Sequence, residues 1–580
     1  MPTTAQRRRD TPAAALHSRI AARRCYTARV QSSSQSGQRP RRRRLGAWGF
    51  ENETFPPSGP LLAWLEERLG KCAPFPAFEV SRFTAPPARS LPQLPGVPSL
   101  DLVDRLTHAR GQGLTDLLRL RSGAVAALPD AVVRPRDDAD VEAILKTCTA
   151  AGVRLIPWGG GTSVTGGVNV IPERMPVVTM DLEQLSGLES LDPVSGLATF
   201  AAGTTGPAVE AALRARGFTL GHFPQSWELS TMGGWAATRA SGQESLGYGD
   251  IHNLVAGLDL VAPAGRLHLP PYPSTAAGPD LRELILGSEG RLGVITRVTV
   301  RVRSLPETVQ VVGTLLPSWQ DGLEGGRELL QHGVPLTLLR LSDKLETEVA
   351  VAIGLSGHQW AAPLARRWLR LRGITKSGCL MLCGAAGDEA QVRATLGAAH
   401  AVLRRHGGVS LGTRPGARWM ADRFRHPYLR DALLDLGIAT DTLETAAPWS
   451  RLADLSRTVR QALSSGLQSE GETTAVLCHV SHPYRDGASL YFTFFFRCPT
   501  DPAAAIARWA TLKRVATAAV VDAGGTLSHH HGVGSWHAPW LGREVGEAGL
   551  RILGAAAAVL DPAGVLNPHV LLDPTDRLEA

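Results

Sequence analysis

The run Pro157-Trp158-Gly159-Gly160-Gly161-Thr162-Ser163, with Gly166-Gly167 close behind it, restricts the fold of this chain more than any other segment. It follows Arg154 to Pro157, whose short apolar pattern predicts a strand. Consecutive glycines lack a Cβ and tolerate positive φ, so a strand that ends in them can aim successive backbone N–H groups at one anion. Two phosphates fit such a nest. The run is not a Walker loop, because no Gly-Lys-Ser/Thr follows, and it does not open a helix with the Gly-x-Gly-x-x-Gly spacing. A flexible loop would look the same in isolation, so the reading depends on what accompanies it.

Its neighbourhood alternates strand and helix. Ala131 to Val133 predicts a strand and Asp138 to Ala151 a helix, and further strands are expected at Val177 to Met180, Leu197 to Ala201, Leu254 to Val261 and Val294 to Arg301. Later, the aromatic run Ser489 to Phe496 reads as a strand and Ala503 to Asp522 as an Ala-rich helix, so a second α+β region is expected. Upstream, Leu61 to Leu69 predicts a short amphipathic helix, and apolar spacings of three and four predict one helix over Leu102 to Leu120. No internal repeat is visible.

Three more segments follow the glycine loop in order: Pro224-Gln225-Ser226-Trp227-Glu228-Leu229-Ser230 running into Thr231-Met232-Gly233-Gly234, then Thr238-Arg239-Ala240-Ser241-Gly242, then Gly287-Ser288-Glu289-Gly290-Arg291-Leu292-Gly293-Val294-Ile295-Thr296. Together the four resemble the FAD-binding domain of the vanillyl-alcohol-oxidase and para-cresol-methylhydroxylase superfamily. The resemblance implies that these residues wrap the pyrophosphate, ribityl chain and ring of FAD. It implies an α+β architecture: an FAD-binding domain at 126–303 and a substrate-binding cap domain at 304–560. A disordered Arg-rich tail at 1–44 and an arm with a helical segment at 45–125 are expected before them, and a C-terminal segment at 561–580 returning to the active site after them. Some relatives bind FAD covalently through a His or Cys near the loop. Thr162 and Ser163 stand there in this chain, so non-covalent FAD is expected.

At 580 residues the chain exceeds what one hydrophobic core sustains, in keeping with separate cofactor and substrate domains. The net charge of +8 invites a nucleic-acid reading, but its location argues against one. Residues 1–44 hold twelve arginines and one acid, Asp10, which leaves the body slightly acidic, and no nucleic-acid partner is expected. The tail is compatible both with an organelle transit peptide and with an over-extended start. No apolar run approaches the roughly eighteen residues of a spanning helix. Seven scattered cysteines form no Cys-x-x-Cys pair, so reduced thiols are expected, and a sequence showing neither a secretory h-region nor a C-terminal Ser-Lys-Leu makes a cytoplasmic location the expectation. Cys379 and Cys383 flank Leu-Met-Leu and read as buried strand.

The remaining motifs narrow the class. Trp48-Gly49-Phe50, Gly221-His222, Tyr248-Gly249-Asp250-Ile251, Tyr428-Leu429-Arg430-Asp431, Glu444-Thr445 with Pro448-Trp449, and Ser528-His529-His530-His531-Gly532-Val533-Gly534 resemble the alkyldihydroxyacetonephosphate synthase family. That family exchanges the acyl group of acyl-dihydroxyacetone phosphate for a fatty alcohol, an alkyl transfer that makes the ether-lipid linkage. The resemblance implies acyl-dihydroxyacetone phosphate and fatty alcohol as partners, a base among His529, His530 and His531, and Tyr491 as a proton relay. It also implies Arg430 as the clamp on the substrate anion and Arg340 as its support. Imidazole suits proton abstraction near neutral pH, and a guanidinium binds a phosphate with two parallel hydrogen bonds. Adjacent histidines in an extended segment point alternately to opposite faces, so no metal is expected at the run. His426-Pro427 before Tyr428, Ser245-Leu246-Gly247 before Tyr248 and His482-Pro483 before Tyr484 set this chain apart. The lipid substrate makes membrane-peripheral contact an expectation, and a homodimer is another. The alternative is an FAD-dependent dehydrogenase of a D-2-hydroxy acid such as lactate or glycolate, with Arg430 on a carboxylate and hydride passing to the flavin. A flavin-binding scaffold without catalysis is a third reading.

Overall fold

Short β-branched runs separated by one helix build the sheet that carries the glycine loop. The computed structural model describes residues 42–354, apart from 52 and 85, and residues 377–572. Residues 1–41 of the Arg-rich tail, with Cys25, and 573–580 of the expected C-terminal segment lie outside the described residues. Strands β1 (Ala131–Val133), β2 (Arg154–Trp158) and β3 (Val177–Asp181) are parallel, in the order β1-β3-β2. The helix Asp138–Ala151 links β1 to β2; the Asp137 carboxylate caps it by accepting from the N–H of Asp140, and Gly152 ends it at φ 67°. Strand β2 then delivers the chain into Gly159.

A second, antiparallel sheet takes β4 (Leu188–Asp192), β5 (Leu197–Ala201), β7 (Val255–Ala262), β8 (Gly265–Leu269) and β9 (Val294–Arg301) in the order β4-β5-β9-β7-β8, while β6 (Phe218–Thr219) pairs with β10 (Arg303–Ser304). The third sheet consists of β11 (Thr308–Leu316), β12 (Leu338–Ser342), β13 (Cys379–Gly387), β14 (Val409–Gly412), β15 (Ile438–Pro448), β16 (Thr474–Pro483) and β17 (Gly487–Arg497). Its order is β14-β11-β13-β12-β16-β17-β15.

The pleat of β17 sorts its aromatic residues. Leu490, Phe492, Phe494 and Phe496 join the buried core that includes Leu452 and Leu455 of the helix Trp449–Ser465 and Trp509 of the helix Pro502–Asp522. Burying each Phe contributes about 1.5–3 kcal/mol. Tyr491 alternates with them and faces the other side. There it lies directly between Glu444 of β15 and His479 of β16, and the same row continues through His479 to Ser342 of β12. Arg340, two residues before Ser342, shares that face.

The expected single helix over Leu102 to Leu120 is two, Leu102–Thr107 and Leu114–Ser122. The reason is the contact that Gly111 makes with the glycine loop: a Cβ on Gly111 would lie 2.3 Å from the carbonyl oxygen of Ser163, and Gln112 donates its N–H to that oxygen at 2.6 Å. A continuous helix would carry side chains into that space.

The break also buries His108. Its Nδ1 lies 2.7 Å from the Asp104 carbonyl and its Nε2 2.9 Å from Asp181 Oδ2. Although burial opposes the charge, the Asp104 carboxylate, 3.1 Å from Nδ1, and then Asp181 and the Asp104 carbonyl raise the imidazole to about 9. Because the folded value lies above the unfolded one, the stabilisation is complete below about pH 6.5 and is lost as pH rises through 9. Over that window unfolding free energy should fall by up to about 1.4 kcal/mol per pH unit. Denaturant titrations of wild type and His108→Gln across the window check this; equal slopes for the two would refute it.

Candidate active site

The glycine loop lies flat against the second motif. A Cβ on Gly159 would sit 2.3 Å from Thr231 Oγ1, one on Gly160 would sit 1.9 Å from the carbonyl oxygen of Leu229, and Gly161 has φ 62°. Among the described residues, the N–H groups of Gly159, Gly160, Gly161, Thr162 and Ser163 have no protein hydrogen-bond acceptor. Buried backbone donors do not stay unpaired without a reason, and a row of them on a cradle that excludes side chains fits a pyrophosphate. Arg43 adds a cation there, its Nη1 donating to the Gly160 carbonyl at 2.5 Å.

The fourth motif closes the cradle from the other side. Glu289 adopts φ 49°, and its carboxylate accepts from the N–H groups of Val533 at 2.6 Å and Gly534 at 2.8 Å. Burial pushes Glu289 up to about 7. The C-terminal segment completes the junction: Leu566 bridges Leu155 in parallel, and Asn567 Nδ2 donates to the carbonyls of Gly167 at 2.8 Å and Glu289 at 2.7 Å.

Several residues expected at the cofactor also make contacts within the protein. Trp227 stacks on Phe424 with ring centroids 5.1 Å apart, Glu228 accepts from the Tyr428 hydroxyl at 2.9 Å, and Arg239 pairs with Glu283 at 2.8 Å. Arg291 donates to the Leu566 carbonyl at 3.0 Å. Ser230 Oγ accepts from Trp235 Nε1 at 2.7 Å, and Leu292, Val294 and Ile295 are buried in the apolar core.

The histidine run is not extended, contrary to expectation. It curls around the buried Glu444 carboxylate, which accepts from Ser528 Oγ at 2.8 Å and from the N–H groups of His529, His530 and His531 at 2.6, 3.1 and 3.0 Å. Three successive N–H groups can reach one carboxylate only where the chain bends, which is why the rings do not alternate between faces. Against the effect of burial, the histidines hold Glu444 well below the usual carboxylate range. Burial pushes His530 down to about 3 and His531 to about 4, so both present neutral imidazoles at pH 7.

Tyr491 adjoins this cluster. Its ring lies 6.0 Å from that of His530, nearly parallel, and 5.6 Å from that of His531, edge on. His479 stacks on its other neighbour side at 5.0 Å, and burial pushes the phenol up to about 12. Arg340 reaches the group through His479, with its Nη2 3.1 Å from Nδ1, and donates to Glu346 at 2.6 Å. Arg430 is not brought into it: its guanidinium bonds to the Gln112 carbonyl and lies 3.4 Å from Asp431 Oδ1.

Sequence reasoning missed the roles of four partners. His482 stacks on His529 at 5.1 Å, and one ring nitrogen each of His482, His529 and His530 lie within 4.8 Å of one another. Tyr484 and Asp250 bond in series to His529, and Glu444 had appeared only as part of a motif without a role.

With this geometry in place, comparison with known proteins is informative. Residues 129–269 match the profile of an FAD binding domain, and residues 305–571 match that of the C-terminal domain of FAD linked oxidases. Alkyldihydroxyacetonephosphate synthase of Trypanosoma brucei brucei is 33% identical over 480 residues, 82% of this chain and 78% of that protein. The enzyme of that name from Dictyostelium discoideum is 30% identical over 518 residues, 87% and 84% of the two. A solved alkyldihydroxyacetonephosphate synthase structure matches with TM-score 0.78 at 26% identity, covering 91% of this chain and 98% of that one. Cradle, cap and matches define an FAD-dependent enzyme of the FAD-linked oxidase class. Within that class, the chain belongs to the alkyldihydroxyacetonephosphate synthase family. Membership selects the synthase over the hydroxyacid dehydrogenase.

Proposed function

We propose that this enzyme converts acyl-dihydroxyacetone phosphate and a fatty alcohol into alkyl-dihydroxyacetone phosphate and a fatty acid. The bond from C1 to the acyl oxygen breaks and the carboxylate leaves with its oxygen, while the alcohol oxygen bonds to C1 and loses its proton. The observation that supports this reading most is the neutral histidine cluster held on Glu444 beside Tyr491. One of those imidazoles takes a proton from C1 and returns a proton to C1 once the alcohol oxygen has bonded there. Tyr491, kept protonated by burial, donates a hydrogen bond to the leaving carboxylate, and it relays the proton lost by the incoming alcohol to solvent, ending with its own proton in place. Gly159 to Ser163 and Arg43 bind the pyrophosphate of FAD, which supplies an electrophilic ring when bound. The row through Glu444, Tyr491 and His479 excludes water from one wall of the site. Arg340, on the same face, and Arg430, near Gln112, are the cations proposed for the substrate phosphate.

Among the described residues no helix is long and apolar enough to cross a membrane. Peripheral membrane contact, a homodimer and a cytoplasmic site are part of the proposal, supported by the lipid character of the substrates and by cysteines that are free among the described residues. Anaerobic flavin absorbance tests the activity. Acyl-dihydroxyacetone phosphate should perturb the spectrum and fatty acid should appear on adding hexadecanol. Full bleaching by D-lactate or glycolate, with a keto acid formed, would replace this reading by the dehydrogenase.

A further inference from the structure

A chain of hydrogen bonds running from Asp250 to His530 lets the proton positions be deduced one after another. Tyr484 Oη lies 2.7 Å from Asp250 Oδ2 and 2.6 Å from His529 Nε2. Burial opposes ionisation of Asp250, but His482 and the Tyr484 hydroxyl bring its carboxyl down to about 2, so it can only accept. Burial and the adjacent Asp250 push the Tyr484 phenol far above its ordinary range, so it keeps its single proton. That proton goes to Asp250. The Tyr484 oxygen therefore faces His529 as an acceptor, and His529 carries its hydrogen on Nε2.

With that one hydrogen, His529 is bare at Nδ1, which lies 3.0 Å from Nδ1 of His530. Two lone pairs cannot face each other at that distance, so His530 is the donor. Glu444 points the same way: its Oε2 lies 3.6 Å from His530 Nδ1, a second acceptor around one nitrogen. With the hydrogen on Nδ1, the lone pair of His530 is on Nε2, which has no protein hydrogen bond among the described residues.

We propose that Asp250 and Tyr484 are positioning residues that fix these tautomers and make Nε2 of His530, rather than His529 or His531, the atom that takes the C1 proton. The C1 proton belongs to the synthase reading above; the tautomers do not depend on it. The test is a long-range proton–nitrogen correlation spectrum of the FAD-loaded enzyme labelled with 15N-histidine, with His529 and His530 assigned from the single variants His529→Gln and His530→Gln. The expected spectrum shows His529 protonated at Nε2 and His530 at Nδ1. Tyr484→Phe should lose that pattern and lower kcat by roughly 10²- to 10⁴-fold, the contribution of a positioned base, with KM within about threefold of wild type. A His530 protonated at Nε2, a His529 protonated on both nitrogens, or wild-type tautomers in Tyr484→Phe would each overturn the proposal. Expected tautomers in an enzyme that does not turn over acyl-dihydroxyacetone phosphate would leave the positioning chain intact and count against the synthase reading alone.

Discussion

Glu444→Ala should lower turnover at least about a hundredfold and destabilise the fold by about 3–5 kcal/mol. The side chain is buried and is the shared acceptor for Ser528 Oγ and three consecutive backbone N–H groups. Alanine leaves Ser528 Oγ and the N–H groups of His529 and His530 without this acceptor, while His531 N–H keeps only Ser528 Oγ at 3.2 Å, and each unsatisfied group costs about 1–3 kcal/mol. The bend in the histidine run has no other anchor of comparable strength, so the rings shift together and the base loses its aim. Glu444→Gln sharpens the point. A neutral amide oxygen accepts less strongly than a carboxylate, and its NH₂ group turns a donor toward at least one of the N–H groups, so the loss should fall between wild type and alanine. Urea midpoints and turnover, measured on the same preparations, check both. Wild-type activity in either variant would remove Glu444 from the centre of the site.

Gly160→Ala should release the flavin. The added Cβ would stand 1.9 Å from a backbone oxygen, that of Leu229, which no rotamer change relieves. Overpacking alone costs about 1–3 kcal/mol, and here the backbone that must move is the one whose N–H groups form the cradle. The dissociation constant for FAD should rise about a hundredfold or more, corresponding to about 3 kcal/mol. Gly234→Ala is the matched control. Its Cβ meets only Thr231 Oγ1, at 3.2 Å, and it lies in the helix Met232–Thr238, so the change should stay below about tenfold. Flavin fluorescence on dilution reads both values. Equal retention by the two variants would show that the loop does not hold the cofactor tightly.

What could be read from the sequence was what depends on neighbours in sequence. Helix Asp138–Ala151 and strands β1, β5 and β9 stand where apolar spacing and turn residues placed them. The glycine loop was legible because absence of a Cβ is a local property. The break between Leu102–Thr107 and Leu114–Ser122 was not, because its cause is a carbonyl more than fifty positions on, that of Ser163. The shape of the histidine run was hidden for the same reason: Glu444 lies 85 positions from His529, and without it three histidines in a row look extended. Tyr484 and Asp250 are 234 positions apart and belong to different sheets and loops. Tyr491 falls between these cases. The alternation of β17 was visible, but which face was core and which was site depended on helices far along the chain.

The ties made by Val565 to Asn567 bear on when this enzyme can first become active. The glycine loop and its open N–H groups are complete early in synthesis, yet the wall behind them is joined by Leu566 on Leu155 and by Asn567 on Gly167 and Glu289, with Asn567 made 400 positions after Gly167. A nascent chain can fold most of its sheets while the cradle stays open on one side. Firm flavin capture should therefore wait for Val565 to Asn567, and a chain cut short a few residues upstream of Val565 should release its flavin more readily.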